Sequence, residues 1–219
     1  SDIFLVKYNS SGTKQWTKQL GTSSSDLGYD VTTDSSGNIY VTGYTRGGLD
    51  GNTNSGSYDI FLVKFNSSGI KQWTKQLGTS SMDFGSGVTT DSSGNIYVTG
   101  ETFGGGFDGN TNIDLSFFLV KYNSSGIKQW TKQLGSSSFG EGVSTDSSGN
   151  IYVTGSTEGR FDGNTNIGKI DIFLVKFNSS GKKQWTKQLG TSSDDYGLSV
   201  STDSSGNIYV TGSTEGGLD

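Results

Sequence analysis

The 219-residue sequence contains no cysteine and no histidine. Without cysteine, nothing in it depends on disulfides or thiolate ligands, and cysteine usage says nothing about redox compartment. Without histidine it lacks the usual general base, the usual zinc ligand and the side chain that titrates near neutrality. Apolar residues make up only 29% of the chain, against 35 glycines. That is thin for one thick core, but enough for slim sheets stacked face to face with small residues at their contacts. A net charge of −5 offers no basic face, so no nucleic-acid partner is expected. No apolar run approaches the roughly 18 residues needed to cross a bilayer, so no membrane insertion is expected. The first residue is Ser1, with no initiator Met and no signal-peptide pattern, which reads as a processed or excised piece, natural or engineered.

What is present is repetition. The block Lys-Gln-Trp-Thr-Lys-Gln-Leu-Gly places its tryptophan at Trp16, Trp73, Trp130 and Trp185. A second block, Asp-Ser-Ser-Gly-Asn-Ile-Tyr-Val-Thr-Gly, starts at Asp34, Asp91, Asp146 and Asp203, and a third starts at Phe4, Phe61, Phe118 and Phe173. The period is 55–57 residues, which divides a single domain (1–219) into units of about 2–58, 59–115, 116–170 and 171–219. A period of that length marks a repeat architecture and is settled before anything else.

Each unit reads as four strands and none as a helix. Val31–Thr33 is a short first strand, and Asn38–Thr45 a second of β-branched and aromatic residues. Ile3–Tyr8 is a third, apolar on both faces, and Lys14–Leu20 a fourth in which Trp16 and Leu20 share one face. Asp34-Ser35-Ser36-Gly37 and Asn9-Ser10-Ser11-Gly12 supply the hairpin turns, with the Asx side chain bonding its own backbone and glycine taking the left-handed position. A four-stranded antiparallel meander at this period is one blade of an all-β β-propeller, and a β-solenoid would want a shorter coil. The chain opens on strand three and finishes after strand two. Residues 1–21 and 196–219 are therefore expected to pair as a composite blade, closing a four-bladed monomer and hiding its edge strands. Two chains closing together as a homodimeric eight-bladed ring is the alternative.

The blocks Gly-Asn-Ile-Tyr-Val-Thr-Gly, Asp-Gly-Asn-Thr-Asn and Asp-Ile-Phe-Leu-Val-Lys-Phe-Asn-Ser-Ser-Gly resemble the bacterial β-propeller repeat called SBBP, four times over and across essentially the whole chain. The resemblance implies a propeller of a kind found in large secreted or surface-attached bacterial proteins, hence an extracellular or cell-surface location. It implies no reaction and no ligand, so it transfers no functional residue.

Strand order puts the one–two and three–four turns at one rim and the two–three and four–one connections at the other. The first rim is nearly invariant between copies. The second carries the differences: Asp26, Tyr44, Arg46, Asp83, Glu101, Phe103, Glu141, Glu158, Arg160, Asp195, Tyr196 and Glu215. Loops on a rigid scaffold are where binding is usually placed, so this rim is the expected face for a protein or glycan partner. Drift in solvent-exposed loops would give the same variation.

Asp50, Asn52, Asn54 and Asp59 place oxygen side chains at alternate positions before a later carboxylate. The pattern recurs at Asp108, Asn110 and Asn112, and at Asp162, Asn164, Asn166 and Asp171. Such spacing suits a hard calcium ion, though no bidentate Glu follows and Ser55, Ile113 or Ile167 stands where glycine should. Asx-turns alone would also explain these loops. No other cofactor is expected. The repeated tryptophans suit packing between sheets better than sugar stacking. A carboxylate pair for glycan cleavage could be drawn from Glu101, Glu141, Asp194 and Asp195. Near-identical blades, however, give near-identical loops, whereas catalysis needs different groups converging. The expectation is a non-enzymatic binding or scaffold module, with a ligand-free structural ring as the alternative.

Overall fold

The computed structural model describes residues 1–110 and 114–218. Among them the chain is all β apart from short turns. β1 (Ile3–Tyr8) and β2 (Lys14–Leu20) form a two-stranded sheet. Three four-stranded sheets follow. The first holds β3 (Asp26–Thr33), β4 (Ile39–Thr45), β5 (Asp59–Phe65) and β6 (Lys71–Leu77). The second holds β7 (Asp83–Thr90), β8 (Ile96–Thr102), β9 (Ser116–Tyr122) and β10 (Lys128–Leu134). The third holds β11 (Ser138–Thr145), β12 (Ile151–Thr157), β13 (Asp171–Phe177) and β14 (Lys183–Leu189). β15 (Asp195–Thr202) and β16 (Ile208–Thr214) end the chain as a second two-stranded sheet. Every complete blade is an antiparallel meander in chain order.

The turns form as their residues dictate. Asp34 accepts from the Ser36 and Asn38 N–H groups at 2.9 Å each, and its other oxygen takes the Asn38 amide and the Tyr40 hydroxyl. Asn9 accepts likewise from Ser11 and Thr13. The sheets then stack face to face, and the core is a set of separate interleaved layers. One layer joins Ile60 and Leu62 of the first blade to Val98, Phe118 and Val120 of the second, with Trp73 packed against it. Its copy joins Phe117 and Leu119 to Val153, Phe173 and Val175, with Trp130 alongside. The tryptophans are packing residues: Trp73, Trp130 and Trp185 lie about 6 Å from Tyr40, Tyr97 and Tyr152.

Two expectations change. The first strand of each unit begins five residues earlier than its β-branched core suggests, at Asp26 instead of Val31. A β-bulge between Gly28 and Asp30, repeated in every copy, breaks the alternation that would have revealed it. The bulge also explains an invariant glycine: at Gly100 a Cβ would lie 1.8 Å from the Phe84 carbonyl oxygen.

The second change concerns closure. Among the described residues β1 pairs only with β2 and β16 only with β15, so the two terminal sheets stay separate. Successive blades also touch at their outer strands. Trp73 on β6 lies against the β9–β10 turn of the next blade, where a Cβ on Gly126 would sit 2.9 Å from the indole. Lys64 reaches across to the Ser124 carbonyl at 3.1 Å.

Candidate functional site

The inner strands β3, β7, β11 and β15 pack one against the next. At the rim where they begin, the bulge turns one extra residue out of each, and this position differs in every copy: Tyr29, Ser86, Glu141 and Leu198. Because the bulge belongs to a paired strand, these side chains project from a rigid base and not from a loop.

Around them runs a ribbon of aromatic rings. Tyr29 lies 5.7 Å from Tyr44, and Tyr44 meets Tyr58 at 5.0 Å and Phe84 at 4.9 Å, both edge to face. Phe84 reaches Phe103 at 5.8 Å, and Phe103 reaches Phe139 at 6.4 Å. The ribbon thus crosses from the first blade to the third. Edge-to-face contacts at these distances are the favoured arrangement and hold the rings in place. The Arg46 guanidinium lies 5.0 Å above the Tyr58 ring.

Carboxylates flank the ribbon. Glu101 accepts from the Ser86 hydroxyl at 3.2 Å. Burial and the neighbouring Glu141 charge push its carboxyl up to about 8, so it is largely protonated at neutral pH. Burial raises Glu141 as well. Further along the rim Tyr196 stands among Asp194, Glu215 and Glu158, and desolvation followed by their charges raises its hydroxyl.

The residues singled out from the sequence therefore divide. Tyr44, Arg46, Glu101, Phe103 and Glu141 come together in the ribbon, and Glu158, Tyr196 and Glu215 form an acidic group beyond it. Arg160 is exposed beside Phe161, one residue outside the latter's buried site. Asp26, Asp83 and Asp195 are corrected: all three are fully buried and not presented on the rim. Each accepts the N–H and hydroxyl of a threonine four residues earlier (Thr22, Thr79 and Thr191), clamping the loop that enters the inner strand. Sequence reading missed Tyr29 and Tyr58. The signal for Tyr29 was its variation between copies, hidden because the strand was started too late.

The calcium reading is corrected too, because the oxygens do not converge. Asp50, Asp108 and Asp162 pair with Lys71, Lys128 and Lys183. Asp59 instead accepts from the Ser55 and Gly56 N–H groups and from Gln76, and Asp171 does the same with Ile167, Gly168 and Gln188. Asn52, Asn110 and Asn164 turn their amide nitrogens inward to the carbonyls of Leu49, Phe107 and Phe161. Asn54 and Asn166 donate to Gly56 and Gly168. Asn112 lies outside the described residues. Asp50 adopts φ 52 and Gly51 φ 79, so Asp-Gly makes a tight left-handed turn. Among the described residues no group of three or more acidic side chains gathers as a metal site would.

Comparison with known proteins agrees with this blade. The model of the SBBP beta-propeller repeat matches residues 15–50, 72–108, 129–162 and 184–219, more than half of the chain. The chain belongs to the SBBP repeat family. Among curated proteins, this SBBP chain is 26% identical over 227 residues to an uncharacterized WD repeat-containing protein of Acanthamoeba polyphaga mimivirus. That match covers 80% of the chain and 16% of the viral protein. It is 25% identical over 247 residues to the regulatory protein FlaEY of Caulobacter vibrioides, covering 97% of the chain and 26% of that protein. The SBBP chain thus spans about a quarter or less of either relative's length. A crystal structure of a protein of unknown function from Bacteroides caccae superposes with a TM-score of 0.54 at 12% identity, over 91% of this chain and 57% of that one. At that identity the likeness concerns the fold.

Proposed function

We propose that this SBBP chain is a non-enzymatic binding and scaffold module, and that its variable rim takes a cationic segment of a partner protein. The observation that carries the reading is the contiguous ribbon Tyr29–Tyr44–Phe84–Phe103–Phe139 with Glu101 and Glu141 beside it. Aromatic faces attract a lysine or arginine side chain, each cation–π contact being worth about 0.5–2 kcal/mol, and a bound cation would favour the charged form of the Glu101 and Glu141 carboxyls beside them. Aromatic residues held on a stiff base also lose little entropy on binding, as in other interaction surfaces. The name of the Caulobacter relative, a regulatory protein, accords with a binding role. The family resemblance supports a place on the outside of a cell.

Titration calorimetry of the chain with a lysine- and arginine-containing peptide, a neutral peptide of equal length and a panel of oligosaccharides tests the reading. Binding of the basic peptide alone, weakened at least tenfold by Phe103→Ala and by Glu141→Gln, is the expected result. Binding confined to oligosaccharides would replace the protein partner with a glycan, and no binding at all would leave a structural spacer. The raised carboxyl of Glu101 favours one second reading, an acid for glycan cleavage. Oligosaccharide turnover that Glu101→Gln abolishes would establish that reading and sink the non-enzymatic one.

A further inference from the structure

The aromatic ribbon has carboxyl groups towards one end and a cation at the other. Glu101 stands directly across the strand pair from Phe84, and Glu141 of the next blade lies close enough for its charge to be felt there. At the far end the exposed Arg46 places its guanidinium 5.0 Å above the Tyr58 ring. Its backbone N–H donates to the Ser25 carbonyl at 3.0 Å, which fixes where that side chain starts. The blade itself does not demand a cation here, since the other units hold Phe103, Glu158 and Glu215 at this position.

A surface arginine on an acidic protein normally finds a carboxylate, and this one does not. The three ion pairs among the described residues join Lys71, Lys128 and Lys183 to Asp50, Asp108 and Asp162, away from the ribbon. Carboxylates on the elements around Arg46 are engaged elsewhere. Asp26 and Asp83 hold Thr22 and Thr79, Asp30 takes the Val88 N–H at 2.8 Å, and Asp59 takes those of Ser55 and Gly56. The planar fork of guanidinium donors is therefore left for a group from outside the chain.

Between the two charged ends lie rings whose edge-to-face contacts leave part of each surface to solvent, and Phe103 beyond them is 40% exposed. Tyr58 to Phe84 is 5.2 Å, and residues facing each other across an antiparallel pair stand about 5 Å apart. From the guanidinium to Glu101 the path is thus roughly 15 Å, which about four or five residues of extended chain cover.

We propose that the segment this rim takes is dipolar, with an acidic side chain on Arg46, apolar side chains across Tyr44 and Phe84, and a basic side chain at Glu101 and Glu141. The inference rests on the rim being the face for a cationic segment, and it adds the second charge and the spacing that such a segment needs. The two ends fix the order. A cation placed at Arg46 meets like charge, and a carboxylate placed at Glu101 meets two more acidic groups, so each wrong arrangement is penalised as well as the right one favoured. A guanidinium receives a carboxylate through two parallel hydrogen bonds, which sets the position of that side chain as well as its sign.

Titration calorimetry with three peptides of equal length tests this. One carries a glutamate and a lysine separated by apolar residues, the second has glutamine in place of the glutamate, and the third has glutamine in place of the lysine. The expected order is dipolar, then basic, then acidic, with the dipolar peptide at least threefold tighter than the basic one. Arg46→Gln should erase that difference and Arg46→Glu should reverse it, while the circular dichroism spectrum of either variant matches wild type because the side chain is exposed. A basic peptide that binds wild type as tightly as the dipolar one overturns the inference and leaves the cationic reading standing. A dipolar advantage that survives Arg46→Gln overturns it too, by removing Arg46 from the site. If none of the three binds, the cationic reading falls and the inference with it.

Discussion

Glu101 offers the sharpest single test of the rim, because its environment predicts both the sign and the size of an effect. Burial, reinforced by the Glu141 charge, lifts its carboxyl from an ordinary 4.5 to about 8. The folded chain therefore holds a proton there that the unfolded chain has released over that interval. The stability associated with the neutral form is complete below pH 4.5 and is lost as pH rises through about 8. The full interval corresponds to about 5 kcal/mol, of which about 3 kcal/mol is already lost at pH 7. Glu101→Gln keeps the shape and the Ser86 hydrogen-bond acceptor but removes the titration. For a chain of this size 1 kcal/mol moves Tm by about 2–4 °C, so the variant should melt several degrees above wild type at pH 7 and converge with it near pH 4.5. Paired thermal melts across pH 4.5–9 measure this directly, since every titrating group not coupled to Glu101 cancels between the two chains. Melting curves that run parallel across the range would refute the buried, proton-holding Glu101 described above. Glu141→Gln in the wild-type background should shift the midpoint of the effect to lower pH, because it removes the second contribution.

Other consequences can be checked in the same material. Asp146 accepts from Ser148 and Asn150 N–H, the Asn150 amide and the Tyr152 hydroxyl, so Asp146→Ala should cost about 1–3 kcal/mol in urea unfolding. Burial alone would raise that carboxyl, but these hydrogen bonds outweigh it and lower it, so the contribution holds at neutral pH and fades as pH falls below about 4. Gly100→Ala would put a methyl group 1.8 Å from the Phe84 carbonyl oxygen and should destabilise by more than about 3 kcal/mol or prevent folding. Gly159→Ala, with nothing within 4 Å of the new carbon, is its matched control, expected within about 1 kcal/mol of wild type. Millimolar calcium should leave Tm unchanged within a degree by scanning calorimetry, and a rise of several degrees would mean that Asp50 or Asp59 leaves its present partners.

The repeat period and the two Asx-Ser-Ser-Gly turns were enough to read the meander, because each turn carries its own local chemistry. Asp34 bonds the backbone two residues on wherever the surrounding chain goes. The inner strand was legible only in part. Its bulge spends one residue outside the alternation, so Leu27 and Tyr29 read as loop although they belong to β3. Buried carboxylates were misread for a related reason. Asp26 looks like a surface acid until Thr22 is seen to fold back onto it. Ring closure was beyond local reading altogether, since it depends on how successive blades sit against one another and not on the chemistry of any one turn.

The division between constant and varied positions supports the rim as the binding face. Outer hairpins repeat almost without change because each Trp, Lys and Asx residue must meet an identical neighbour, and a lone departure would spoil one layer. The inner bulge meets solvent at the rim, so it is free to differ, and Tyr29, Ser86, Glu141 and Leu198 do. The rim is thus where one blade can be told from the next, and a partner that binds there meets a different set of side chains at each blade.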